Sequence, residues 1–428
     1  MRVKTLLYFC SLTNKRKTNM KRLLTILMAC VATGVMATET FTISVKNASR
    51  DVRKDVPVVL KLADYASYPQ AVRSAVVTVD GNEIASQLDD LNRDGRYDEL
   101  CFLTDLGKNE KKTFKINLSE EESTKKYVPR TFSELLLRNP KVKIKNKHDL
   151  FMKEMTVERG VNPYAIVHHH GVAFESELVG FRIYFDHRQT VDAYGKFKKQ
   201  LEIRETQFYT DENQKAAGYG DDVLWVGSSY GVGALRGWDG ENQLMLEDVE
   251  RRTQRVISSG PVRSIVELVD EDWRPVKDLK PITMRTRYTI YGGHRDVQVD
   301  IHFDRNASGY DFATGIINVK NSKEFSDKKG LRGCWGTDWP VGVKDTAGHK
   351  METVGLGVIV PQKYIRKEKP ADEVNYTYVV GTDTQDMTYY VAFASDNEEF
   401  GMHSEKEWFE FLKQWKREIN NEITIKKE

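Results

Sequence analysis

The sequence predicts an all-β protein: a small N-terminal β-sandwich followed by a large two-sheet supersandwich, with a C-terminal helix. Three observations predict it. Short segments rich in Val, Ile, Leu and Phe, separated by turn residues, fill residues 40–118. Longer segments of the same kind run from residue 262 to residue 394. Near the end alone, Trp408, Phe409, Leu412 and Trp415 recur at helical spacing behind a capping Ser404.

The elements follow in chain order. Residues 1–37 read as a leader: a basic stretch to Asn19, then a better start at Met20 with Lys21 and Arg22, an apolar run from Leu23 to Val35, and Val35-Met36-Ala37 for cleavage. The mature chain is expected to begin near Thr38 and to be periplasmic or secreted. The other reading takes Leu27-Met28-Ala29-Cys30 as a lipoprotein signal, which would anchor it to the outer membrane. No later segment reaches the ~20 apolar residues of a membrane span. Residues 38–118 hold candidate strands at Thr40–Val45, Val58–Leu62, Ala75–Val79, Glu99–Leu103 and Lys111–Leu118. Residues 119–148, rich in Lys, Glu, Ser and Thr, read as a connection. Residues 149–428 form the larger unit, with strands at Val262–Asp270, Ile282–Tyr291, Val297–Arg305, Gly315–Val319, Val354–Val360 and Tyr389–Ala394. A helix over Glu405–Ile419 is expected to lie on one sheet as a lid.

Composition excludes some functions. The formal charge is +2, with 65 basic against 63 acidic residues. No basic run is interleaved with aromatics, so nucleic acid is not an expected partner. Past the leader, the remaining cysteines are Cys101 and Cys334, which form a disulfide or stand as two buried thiols. Cys101, inside an apolar strand, favours the thiol reading.

The densest chemistry lies in HHHGVAFESELVGFRIYFDHRQTVDAYGK, residues 168–196. Strand parity puts Phe181, Ile183 and Phe185 on one side and Arg182, Tyr184 and Asp186 on the other, one face to pack and one to meet something polar. Removing a proton alpha to a uronate carboxylate needs a cation on the carboxylate and groups that move protons. Arg182 is the candidate clamp, Tyr184 and His170 the proton carriers, His168 the alternative histidine and Lys196 an assistant. His170 is preferred because Gly171 permits close approach. Glu175 and Tyr194 are candidate substrate contacts. The structural alternatives are an ion pair of Arg182 with Glu175, Glu177 or Asp192, and a metal site of His168, His170 and Glu175. Trp225, Arg236 and Trp238, set among Gly227, Gly231 and Gly233, and Trp335 in GCWGTDWP are candidate sugar-stacking positions, or else buried residues around a turn. In Asp90–Glu99, oxygen ligands at Asp90, Asn92, Asp94 and Asp98 surround Gly95, a calcium-like pattern without flanking helices. The loop reads equally as a calcium site or as an ordinary hairpin, and calcium is the one cofactor the sequence offers.

The Gly260-Pro-Val-Arg263 corner with the strand pair that follows resembles galactose-mutarotase-like supersandwich domains. QLDDLNRDGRYDELCF, the 168–196 stretch and DDVLWVGSSYGVGALRGWDG together resemble a domain-of-unknown-function family, number four-eight-six-one, of exported Bacteroidetes proteins, over nearly the whole chain beyond the leader. That resemblance implies a place in polysaccharide-utilisation loci beside lyases and unsaturated-uronyl hydrolases, and dehydration of ulvan-type oligosaccharides. The expectation is an exported protein that acts on acidic oligosaccharides by elimination; the alternatives are a non-catalytic glycan-binding protein and a sugar mutarotase or epimerase.

Overall fold

The structure, a computed structural model, describes residues 38–139, 141, 150–276, 278–342 and 344–428. The expected leader lies outside them. No described helix is long and apolar enough to cross a membrane.

The chain is mostly β-strand, as its alternation predicts. Along Lys111–Ser119, Phe114, Ile116 and Leu118 are buried while their neighbours are more exposed, the signature of a half-covered strand. This strand is central in a five-stranded sheet ordered Thr424–Lys427, Thr38–Lys46, Lys111–Ser119, Ser74–Val79 and Asn82–Ile84. A three-stranded sheet of Arg53–Lys61, Glu99–Leu106 and Ser86–Asp89 closes over it around Ile43, Val58, Phe102 and Phe114.

The larger unit sets a nine-stranded sheet, running from Glu154–Glu158 at one edge to Lys323–Ser326 at the other, against two five-stranded sheets. One apolar cluster draws side chains from all three, among them Phe174, Phe181, Tyr288, Phe312, Val358 and Tyr389. Two segments sit elsewhere than expected. Thr131–Glu134, inside the expected connection, is the edge strand beside Gly171–Ser176, and Thr424–Lys427, at the end of the expected large unit, pairs with Thr38–Lys46 in the small sandwich.

The two units meet on a buried polar seam at the Gly-Pro-Val-Arg corner. Arg263 donates to Asp89 at 2.7 Å and to Glu99 at 2.8 Å, while the Gln87 amide oxygen accepts the backbone N–H groups of Val262 and Arg263. Cys101 and Cys334 are both buried free thiols, one in each unit, and burial pushes each up to about 12. No disulfide joins them.

The helix occupies Glu405–Asn420, with the Ser404 hydroxyl accepting the Glu407 amide. Trp408, Leu412 and Trp415 seat on the outer face of the nine-stranded sheet, where Gly333, Gly355 and Gly357 leave room. A Cβ on Gly355 would stand 2.7 Å from Trp408, and one on Gly357 2.4 Å from Leu412. Because Leu412 is fully buried, Leu412→Ala is expected to cost about 2–5 kcal/mol in urea unfolding. A loss under ~1 kcal/mol would show the helix to be loosely docked.

Candidate functional site

The site is built on the strands Gly171–Ser176, Gly180–Tyr184 and Val191–Gly195. Their apolar side chains enter the core. Arg182, Tyr184, Asp192 and Tyr194 take the other face, which residues 197–220 cover, so the strands are buried on both faces. The polar face expected to be open thus holds a buried ion network.

Arg182 is at its centre. Its Nε and Nη2 donate to Asp192 Oδ2 at 2.9 and 2.7 Å, Nη2 also to Asp222 Oδ2 at 2.7 Å, and Nη1 to the Tyr209 hydroxyl at 2.8 Å. The Phe208 ring lies 4.3 Å from the guanidinium. Gln207 and Phe208 both adopt positive φ, and this reversal carries Tyr209 back over the strand. The network corrects two expected roles. Arg182 has its donors committed, so it cannot also grip a substrate carboxylate in a bidentate manner. The Tyr184 hydroxyl donates to Asp192 Oδ2 at 2.8 Å, and burial, with Asp192 beside it, pushes the phenol far above its ordinary value, which disqualifies it as a base.

His170 and Tyr209 stand at the outer end of this network. His170 Nδ1 lies 3.0 Å from the Tyr164 carbonyl, an acceptor, so Nδ1 carries the proton and Nε2 is the lone-pair nitrogen. The Tyr209 hydroxyl, 3.1 Å from Nε2, therefore donates to it while accepting from Arg182. Tyr164 stacks flat on the imidazole at 3.8 Å. His169 and His170 both have positive φ, a conformation that costs non-glycine residues energy and recurs at functional sites. Burial, then the charges of Arg182, Arg138 and His169, push His170 down to about 4. Tyr209 is 41 % exposed; burial raises its phenol and Arg182 opposes the rise. Arg138 is exposed nearby, and Arg188, held by Asp186, lies 4.9 Å from the rings of Tyr164 and Tyr184.

The other expected site residues are elsewhere. His168 packs edge-on against His169, whose buried ring lies 2.6 Å from Glu134, so no metal site forms with Glu175. Lys196 is fully buried: its ammonium reaches Glu175 at 2.5 Å and the carbonyls of Ser176 and Gln200, and Glu175 accepts the amides of Glu202 and Ile203. Neither residue can meet substrate; together they pin residues 197–220 onto the sheet. Tyr194 is buried with its hydroxyl on Thr210. Arg236 is buried against Thr190 and the Ser229 carbonyl, and burial pushes it down to about 10. Trp238 is nearly buried, and Trp335 lies under the C-terminal helix with Trp408. Of the candidate stacking residues, Trp225 is the exposed one, at 54 %. Gly171 and Gly231 approach protein and not a ligand: a Cβ on either would lie 1.9 Å from a carbonyl oxygen of a neighbouring strand.

In the Asp90–Asp98 loop the carboxylates cap the loop's own backbone. Asp90 accepts the amides of Arg93, Asp94 and Gly95; Asp94 accepts that of Arg96; Asp98 accepts those of Leu91 and Asn92. Among the described residues no three acidic, histidine or cysteine side chains gather closely enough to hold a metal.

Tyr164, Tyr209, Asp192 and Asp222 complete the cluster. Asp192 and Asp222 fall within spans the sequence singles out. Tyr209 does not: nothing in Gln-Phe-Tyr-Thr, residues 207–210, signals that a loop folds back over a strand 25 residues earlier.

Solved structures similar to this chain include two from Enterococcus faecalis. One is a protein in the glycosyl hydrolase family 38 from Enterococcus faecalis, 9 % identical, TM-score 0.48, covering 91 % of this chain and 47 % of that one. The other is an alpha-mannosidase from Enterococcus faecalis V583, 10 % identical, TM-score 0.46, covering 95 % and 48 %. This chain thus spans about half the length of each. No curated relative matches the sequence. The family model described as Domain of unknown function (DUF4861) matches residues 45–425, and the chain belongs to that family.

Proposed function

We propose that this protein is an exported carbohydrate-active enzyme that acts on uronate-containing oligosaccharides by β-elimination, with Tyr209 and His170 as its proton carriers. The observation that carries the reading is the directed chain from Arg182 through the Tyr209 hydroxyl to His170 Nε2 at the exposed end of a buried ion network. The family resemblance of the sequence points to the same chemistry.

In this reading the Tyr209 oxygen takes the proton alpha to the uronate carboxylate as its own proton passes to His170 Nε2. The bond from the β-carbon to its oxygen substituent breaks, and the departing oxygen takes the proton now on His170 Nε2 and leaves as water in a dehydration or as a sugar hydroxyl in a chain cleavage, so that Tyr209 and His170 both end as they began. Arg182 stabilises the transient phenolate. Arg138, exposed beside His170, faces the uronate carboxylate. A bound carboxylate also offsets the cations that hold His170 down, so substrate strengthens the base that consumes it.

The test is ultraviolet absorbance of uronate oligosaccharides incubated with the protein, since elimination creates a conjugated unsaturated acid. A rising signal is expected. A flat signal across pectic, ulvan and glycosaminoglycan fragments would sink the reading in favour of glycan binding or epimerisation.

A pH dependence follows. A His170 titrating near 4 is neutral at every higher pH, so kcat/KM is expected to climb through about pH 4 and stay level through 6.5. An acid limb near 6.5, the ordinary imidazole value, would remove His170 from the role.

Calcium belongs to the proposal as a structural ion in the Asp90–Asp98 loop. Gly95 has φ +84°, and Asp90, Asn92, Asp94 and Asp98 would hold the ion only after leaving the loop amides and gathering closer than they stand in this structure. Binding must compete with the bonds these oxygens make to loop amides, so weak affinity, on the order of 10⁻⁴–10⁻³ M, is expected. Millimolar calcium should raise Tm over chelator, and Asp94→Ala should abolish the rise. Equal Tm with calcium and with chelator would leave the loop an ordinary hairpin.

A further inference from the structure

A cavity of about 540 Å³ lies where the two units meet, a place and a size usual for ligand sites. Its walls come from three parts of the chain: the strand Ser74–Val79 with Gln87 of the small sandwich, residues 122–129 of the connection, and Phe132 with the Gly260-Pro261 corner of the large unit. Three aromatic rings, Tyr97, Tyr127 and Phe132, line it, and each is partly exposed. The reaction site argued above uses none of these residues.

The charges of this cleft are uneven. Glu83 is committed to the connection: it takes Lys125 Nζ at 2.6 Å and the Tyr127 hydroxyl, which pins residues 125–127 in place as one wall. Arg73 and Lys126 then stand against Glu122 alone, a surplus of positive charge. Arg73 spends Nη1 on the carbonyls of Gln70 and Val72, at 3.2 and 2.9 Å, and no ion pair among the described residues uses either Arg73 or Lys126. Cations left without a carboxylate beside aromatic rings fit a ligand with an apolar ring face and an anionic group: the aromatics pack on the carbon face of a sugar, and the guanidinium takes its carboxylate. No histidine lines the cleft, so it lacks the tyrosine and imidazole pair that moves protons at the reaction site.

We propose that this cleft is a second, non-reacting site that holds a polyuronate chain, with sugar rings against Tyr97, Tyr127 and Phe132 and a carboxylate on Arg73 and Lys126, so that the protein grips a polymer apart from the place where it reacts. The choice of a uronate chain rests on the functional reading above; the site itself is separate from that one. Thr131 and Phe132 line the cleft, and Glu134 on the same strand meets His169, about 10 Å farther along from Thr131. The cleft and the turn of His169 and His170 therefore stand at opposite ends of one short strand. A chain of several sugars can occupy both, while a disaccharide fills one.

The test is retardation of the full protein on native gels cast with polygalacturonate or alginate, read against a polymer-free gel, with a neutral glucan as the control polymer. Retardation by at least one polyuronate and not by the glucan is expected. Lys126→Glu, at an exposed position that leaves the fold intact, should weaken the Kd at least tenfold and leave elimination from a uronate disaccharide unchanged. Tyr97→Leu, which keeps an apolar side chain against the core of the small sandwich, should weaken it as well. Tyr209→Phe, in the reaction site, should leave retardation intact. No retardation by either polyuronate, equal retardation by the glucan, retardation untouched by Lys126→Glu, or retardation lost with Tyr209→Phe each overturns the cleft as a binding site. The two readings fail separately: Lys126-dependent retardation without ultraviolet change leaves the cleft standing and removes the elimination, and elimination without retardation does the reverse.

Discussion

Replacing Tyr209 by Phe is expected to lower kcat about a thousandfold on uronate oligosaccharides, while Kd changes by no more than a few-fold and Tm stays within a few degrees of wild type. The hydroxyl removed is the one that accepts from Arg182 and donates to His170, and it belongs to the most exposed residue of the network, Tyr209, which is 41 % exposed as a whole. The ring stays, with its packing beside Arg182, so the loss falls on proton transfer and not on folding. The informative control is Tyr184→Phe. That residue sits two positions from Arg182 on the same strand face, but its hydroxyl is spent on Asp192, so its removal should cost about 1–1.5 kcal/mol of stability and leave turnover within tenfold. If Tyr184→Phe kills turnover and Tyr209→Phe does not, the roles are reversed and the proton leaves through the buried network.

That pair of residues shows where the sequence is legible. Strand alternation locates Arg182 and Tyr184 on one face, and it locates the helix face of Trp408, Leu412 and Trp415, because both depend on local periodicity and burial. Alternation does not say whether the polar face is open or roofed. Here residues 197–220 roof it, and a buried polar face must then pair internally: Arg182 with Asp192 and Asp222, Lys196 with Glu175. Arg182 and Tyr184 share one strand face, but their partners decide their roles: Asp192 and Asp222 lie on neighbouring strands, and Tyr209 comes from a segment with no periodic signal. Trp225, Trp238 and Trp335 teach the same lesson. All three lie near glycines, yet one is exposed and the others pack inside, because the glycines serve close approach between strands. The edge strand Thr131–Glu134 was hidden by the Lys- and Glu-rich composition around it, and the pairing of Thr424–Lys427 with Thr38–Lys46 by a separation that no local pattern bridges.

The Lys196–Glu175 pair gives the second large expectation. Lys196→Met should destabilise the protein by about 3–5 kcal/mol, a fall of about 5 °C in Tm, because it strands a carboxylate with no solvent access. Its pH dependence has a definite sign. Burial pushes Glu175 up, and Lys196 opposes this; without the lysine the folded state favours the protonated acid still more strongly. A group whose folded pKa exceeds its unfolded value stabilises the fold at pH below the unfolded value and loses that contribution as pH rises. The Lys196→Met defect should therefore be small near pH 4 and full near pH 8. Glu175→Gln in the same chain should recover part of the stability at pH 8, since it removes the stranded charge and keeps an oxygen for the amides of Glu202 and Ile203. Those amides begin the segment that carries Tyr209, so activity should fall with the unfolding of that segment and return with it in the double variant. A Lys196→Met protein with wild-type Tm and no turnover would instead place the ammonium in the reaction, and the buried geometry described here would not be that of the working enzyme.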